Sequence, residues 1–146
     1  MFFGPVATGG SFYVQAHTVS FTALLLGCIP GSYSVVLIAL NNLRDRDSDI
    51  LVNKKTLAVR LGVTFARAEI ALGLYSPVIF IMLFYRDGHL SVLGTIASMS
   101  VCVLGGLAVL LPVYRIGDMR LINGLFPRTG MLSLVMTLIL SLFLLL

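Results

Sequence analysis

Asp45 and Asp49 stand four positions apart in the stretch NNLRDRDSDILVNKKTLAVRLG, residues 41–62. On a helix that spacing puts both on one face, and Asn41, four positions earlier, joins them. Two carboxylates one turn apart repel each other, and a cation relieves the repulsion. Magnesium takes hard oxygen ligands, commonly one or two carboxylates together with substrate phosphates. Asp45 and Asp49 therefore form a candidate Mg²⁺ site facing a diphosphate, with Asn41 or Asn42 adding a neutral oxygen or a donor. The bases that follow, Lys54, Lys55 and Arg60, suit phosphate oxygens, which arginine grips bidentately. Metal and bases together would neutralise a leaving diphosphate and stabilise the charge that develops as an allylic carbon–oxygen bond breaks. Asp47 falls on a different part of the helix and reads as a supporting or solvated acid. Arg44 and Arg46 read as ion-pair partners or topology charges. Spacing alone also allows a plainer reading, in which the charges are a solvated connector.

The elements around this stretch must be membrane helices. The 146-residue chain is 58% hydrophobic and 11% charged, with a mean hydropathy of +1.03. Soluble domains carry about a quarter charged residues, so this composition cannot build a water-exposed surface. The apolar runs are continuous rather than alternating, which favours helices over a barrel. The expected fold is all-α and polytopic, a single transmembrane domain over residues 1–146. Spans of about 20 apolar residues are predicted at Val19 to Leu40, Ala68 to Tyr85, Ser91 to Tyr114 and Gly130 to Leu146. Phe2 to Ala16 is shorter and reads as a helix lacking its beginning, which makes five segments with the first incomplete. Thr56 to Leu61 is predicted as a short helix, capped by Thr56 and ended by Gly62 in a left-handed conformation. Gly27, Pro30 and Gly31 lie mid-span, where glycine permits close helix contact and proline kinks the helix.

The loops set the orientation. Arg44, Arg46, Lys54, Lys55, Arg60 and Arg67 follow one span, and Arg115, Arg120 and Arg128 follow another. The intervening loops are poor in bases, so the basic loops face the cytoplasm. This placement in the cell's inner membrane also accounts for the net charge of +4 without nucleic acid as a partner. No secretory signal is visible at the start. Cys28 and Cys102 lie in apolar runs and read as small hydrophobes. His17 and His89 read as surface residues, because a lone histidine makes no metal site. Tyr85, Arg86 and Tyr114 read as interface anchors. Arg128 and Thr129 precede the last span.

The stretch NNLRDRDSD followed by KKTLAVRLG resembles the second aspartate-rich motif of the UbiA superfamily of membrane prenyltransferases, on its menaquinone-pathway branch. FFGPVATGGSFYVQ and LFPRTGMLSL are similar to that family's later segments. The resemblance implies a bundle of nine helices around a central cavity, of which this chain would supply roughly the fifth to ninth. It implies that Asp45 and Asp49 bind Mg²⁺ and a polyprenyl diphosphate, with Lys54 and Arg60 beside the phosphates. It further implies transfer of the polyprenyl chain to 1,4-dihydroxy-2-naphthoate, with release of diphosphate and carbon dioxide. The family usually has glycine where Asn53 stands, and asparagine tolerates positive φ better than most residues. No first aspartate-rich motif occurs here. The resemblance therefore makes this chain a carboxy-terminal half, inactive alone and dependent on a missing N-terminal half.

Two other classes fit the sequence less well. A phosphatidyl-alcohol transferase also carries aspartates on membrane helices, but its motif starts D-G-x-x-A-R, which Asn42-Leu43-Arg44-Asp45 does not supply. A non-enzymatic subunit or transporter fragment would place acids inside the spans, whereas the aspartates here cluster at one mouth. Within the resembled family, another aromatic acceptor stays open.

Overall fold

The computed structural model describes residues 2–115 and 119–145, residues 119 and 120 by their backbone alone. The side chain of Arg120, one of the bases that set the orientation, lies outside the described residues, as does Leu146. Every described element is helical: a π-helical turn at Phe2–Val6, then α1 (Ala7–Ala16), α2 (Phe21–Arg44), α3 (Arg46–Leu51) and α4 (Leu57–Tyr75). After these come α5 (Pro77–Arg86), α6 (Val92–Arg115), a 3₁₀ segment (Met119–Gly124) and α7 (Leu125–Leu145). Lipid offers the backbone no hydrogen-bond partners, so helices are the form in which these apolar runs can cross it.

Among the described residues, four helical stretches are long and apolar enough to span: Phe21–Arg44, Leu57–Arg86, Val92–Arg115 and Leu121–Leu145. The chain is a multi-pass membrane protein. The expected first segment is helical but short, so the five expected segments become four spans and one shorter helix. The final helix starts at Leu125 rather than Gly130. Arg128 and Thr129 consequently lie within it, and Thr129 is buried with its hydroxyl donated to the Leu125 carbonyl at 2.9 Å.

The span Leu57–Arg86 carries two breaks. Gly62 has φ 85° and ψ 176°, so a single turn, Leu57 to Leu61, is set off from the membrane helix proper. The positive φ matches expectation; the extended ψ is not the left-handed helical cap foreseen. Pro77 then begins α5, because it lacks the N–H that would have continued α4.

α2 is the centre of the bundle. Its buried Val36, Ala39, Leu40 and Leu43 join Ala66, Ile70 and Leu74 of α4 and Met136 and Leu140 of α7 in one core. Small residues set the closest approach. A Cβ at Gly27 would lie 2.8 Å from both the Gly4 carbonyl oxygen and Thr8 Oγ1, and one at Gly4 would lie 2.8 Å from Gly31 Cα. The N-terminal helix thus docks backbone against backbone on α2, the contact that glycine allows in membrane helices. Ser32 and Ser34 donate to the carbonyls of Cys28 and Pro30 at 2.8 and 3.0 Å, so neither hydroxyl is left bare inside the span.

Candidate functional site

The charged stretch lies where α2 passes into α3. Regular helix stops at Asp45, whose φ of −91° and ψ of 3° leave the helical basin. The one-turn register nevertheless continues: Asp45 N–H donates to the Asn41 carbonyl at 3.0 Å, and Asp49 N–H to the Asp45 carbonyl at 2.8 Å. Asn41, Asp45 and Asp49 therefore follow one another at helical spacing across the break.

α3 closes in a Schellman arrangement. Asn53 takes φ 57° just past the helix end. Lys54 N–H donates back to the Asp49 carbonyl at 2.9 Å and Asn53 N–H to the Ile50 carbonyl at 3.2 Å, the paired bonds of that motif. Asparagine tolerates this conformation where glycine is the usual choice. The consequence for the site is direct, because the reversal returns Lys54 over Asp49. Its Nζ donates to Asp49 Oδ1 at 3.2 Å.

The two carboxylates are held differently. Asp49 is 5% exposed, and its Oδ2 is buried with no partner among the described residues. Leaving such an atom unsatisfied costs about 1–3 kcal/mol, more when it is charged. Asp45 is partly exposed and is gripped by Arg44, Nε to Oδ1 and Nη2 to Oδ2, both at 2.7 Å. The hydrogen bond from Arg44 holds the Asp45 carboxyl below the usual carboxylate range, and the charge of Lys54 adds to the effect. Lys54 thus acts on both acids, by a hydrogen bond on one and by field on the other.

Arg44 does more than pair. Its Nη2 also donates to Asn41 Oδ1 at 2.7 Å, and its Nη1 reaches Asn123 Oδ1 at 3.0 Å. The guanidinium lies 5.3 Å from the centre of the Phe126 ring, within cation–π range. It ties the end of α2 to the start of α7. The ion-pair role was expected from the sequence; the link to Asn123 and Phe126 was not, since nothing local relates positions 79 residues apart.

The other predicted residues fall as follows. Asn42 is half-buried about 100° round α2 from Asn41, outside the Arg44 network. Arg60 is exposed on the turn before Gly62, and no hydrogen bond joins its side chain to the carboxylates among the described residues. Lys55 is exposed. Asp47 is 85% exposed and pairs with Arg46 at 3.2 Å, while Arg46 Nε donates to the Ala58 carbonyl at 3.1 Å and so fastens α3 to α4. Cys28 and Cys102 are thiols directed at the carbonyls of Leu24 and Leu74, each at 3.5 Å.

One acid was missed. Glu69 lies inside the span Leu57–Arg86 with its Oε2 buried and without a partner among the described residues, so the acids are not confined to the mouth. A carboxylate inside an apolar run is itself a signal, legible in ARAEIALGLY.

A family model described as the UbiA prenyltransferase family matches residues 1–122. A 1,4-dihydroxy-2-naphthoate octaprenyltransferase of Escherichia coli is 38% identical over 84 residues, 58% of this chain and 27% of the relative. Enzymes of the same description from Mycobacterium tuberculosis and Haemophilus influenzae are 45% and 39% identical over 62 residues, 42% of this chain and 21% and 20% of theirs. The chain thus matches about a fifth to a quarter of the length of these curated relatives. No solved structure matches.

Proposed function

The chain belongs to the UbiA prenyltransferase family, and we propose that it carries the second of two diphosphate-holding motifs of an enzyme that transfers a polyprenyl chain to 1,4-dihydroxy-2-naphthoate. The observation that carries this reading is the Asn41–Asp45–Asp49 register with Lys54 returned over Asp49. In this reading Asp45 and Asp49 hold Mg²⁺, with Asn41 as a neutral neighbour, and Asn42, Lys54 and Arg60 serve the diphosphate. The oxygen donors are of the hard kind magnesium prefers, and the unsatisfied Asp49 Oδ2 is a position that a cation would relieve. A bound Mg²⁺ would supply charge neutralisation on the diphosphate, which lowers the cost of its departure.

The remaining work belongs to the protein's own side chains. Lys54, half exposed at the mouth, donates to phosphate oxygens as a point charge, and the exposed Arg60 adds a second base in this reading. Arg44 keeps the Asp45 carboxylate ionised and oriented. The electron-rich ring carbon attacks the allylic carbon as the carbon–oxygen bond to diphosphate breaks, and the ring's carboxyl leaves as carbon dioxide. The protein's contribution is positioning and charge compensation. In this reading lipid-soluble substrate and charged diphosphate meet at the cytoplasmic face of the inner membrane, an orientation that the base-rich loops support.

A complete site in this reading needs a first such motif as well, which these 146 residues do not supply. Reconstitution with a segment carrying N-x-x-x-D-x-x-x-D tests this: Mg²⁺-dependent transfer is expected only from the pair. Robust transfer by the isolated chain would contradict it. The names of the relatives support the naphthoate as acceptor, and an acceptor panel in the same reconstitution decides between it and other aromatic rings.

A further inference from the structure

Two adjoining cavities run along the seam between α6 and α7. One, of about 390 Å³, is lined by residues that include Leu104, Ala108 and Met131. The other, of about 580 Å³, continues from it past Leu111 to the arginines Arg115 and Arg128. Ala108 and Arg128 belong to both, so the two form one groove. Its walls are apolar and exposed: Leu104 is 67% and Met131 68% exposed.

The antiparallel order of the spans puts the end of α6 and the start of α7 at the same membrane face as the charged stretch. One arginine comes from each helix, and both line the same hollow. Arginines at this face are expected for orientation alone; a shared cavity continuous with an apolar channel is not. The groove is also separate from the carboxylate site, sharing none of its residues. Phe126, which lies under Arg44, and Arg128 are two positions apart on α7, roughly 200° round the helix. The arginine mouth therefore faces away from the proposed diphosphate site.

We propose that this groove binds an anionic phospholipid of the surrounding leaflet, with an acyl chain along Leu104, Ala108 and Met131 and its phosphate between Arg115 and Arg128. The occupant follows from charge complementarity. An apolar channel alone would accept any acyl chain, whereas two guanidinium groups at its mouth select one whose headgroup is a net anion. Basic pockets between membrane helices at this face bind anionic headgroups in that way.

The test is native mass spectrometry of the purified chain in detergent, titrated with phosphatidylglycerol and with phosphatidylcholine of the same acyl composition. Phosphatidylglycerol is expected to bind at least tenfold more tightly. The R115Q/R128Q double variant should lose about thirtyfold of that affinity, leaving phosphatidylcholine unchanged, and R115K/R128K should keep the preference and so report on folding. Ala108→Phe, which fills the junction from an exposed position, should weaken both lipids. Equal binding of the two lipids would overturn the proposal. So would a preference that survives R115Q/R128Q, full binding in A108F, or competition by glycerol 3-phosphate as strong as by the intact lipid. Arginine-dependent binding of farnesyl diphosphate with no response to phosphatidylglycerol would overturn it too.

Discussion

Arg44 closes on Asp45 with two parallel hydrogen bonds of 2.7 Å, and the same guanidinium is anchored to Asn123 in the 3₁₀ segment before α7. One of the two acids proposed to hold a metal is thus aimed by a residue that is itself held by Asn123 and, through the Phe126 ring, by the start of α7.

Arg44→Ala should lower Mn²⁺ affinity and transfer activity of the reconstituted enzyme by about 10- to 100-fold, the usual cost of losing an outer partner of a metal ligand. Arg44→Lys should recover little, because an ammonium cannot reproduce the fork that spans Asp45, Asn41 and Asn123. Electron paramagnetic resonance of bound Mn²⁺ measures this without reference to turnover.

The same contact predicts a pH dependence. The folded-state pKa of Asp45 is lowered, first by the hydrogen bond from Arg44. Its stabilisation is therefore fully present above the ordinary carboxylate range, near pH 4, and is lost as pH falls through the lowered value. Thermal melts in detergent should show wild type above Arg44→Gln by a constant margin from pH 7 to 5. The margin should shrink as the pH is taken below about 4.

Asn53 offers a backbone test. Asn53→Gly should be neutral, since glycine takes φ 57° freely. Asn53→Val should cost about 1–2 kcal/mol, the penalty of a left-handed conformation for an ordinary side chain, and should also weaken diphosphate binding by moving Lys54. Denaturation and diphosphate titration of the two variants separate these effects.

The glycine contact between the N-terminal helix and α2 is open to the same treatment. Gly27→Val would drive side-chain atoms into the Gly4 carbonyl and Thr8, with an expected loss of about 1–3 kcal/mol from overpacking. Gly10→Ala, with open space where its Cβ would stand, should be neutral or slightly stabilising. Melting temperatures of both variants check the pair.

Much of this was legible in the sequence because the informative signals are local. Span positions follow from apolar run length, and the Thr56 cap, the Gly62 break and the positive φ of Asn53 follow from what each residue type does best. The four-residue spacing of Asn41, Asp45 and Asp49 survived the break in helix at Asp45 because the backbone hydrogen bonds continue through it. The remainder depended on tertiary placement. Nothing in the sequence relates Arg44 to Asn123, or shows which faces of α6 and α7 stay apart. Arg60 stands exposed on the turn before Gly62, a placement that its position in the sequence does not reveal. Glu69 barely alters the hydropathy of its long run, so run length alone does not reveal it.

Asp45 and Asp49 are proposed to share one divalent ion with a diphosphate. The most direct measurement is Mn²⁺ binding, followed by electron paramagnetic resonance, in the reconstituted enzyme with inorganic diphosphate present. Wild type and Asp87→Asn, whose acid lies beside Arg86 in a different loop, should bind one ion more tightly when diphosphate is added. Asp45→Asn and Asp49→Asn should each abolish that gain. Retention of the gain in either variant, or its equal loss in Asp87→Asn, would contradict the account.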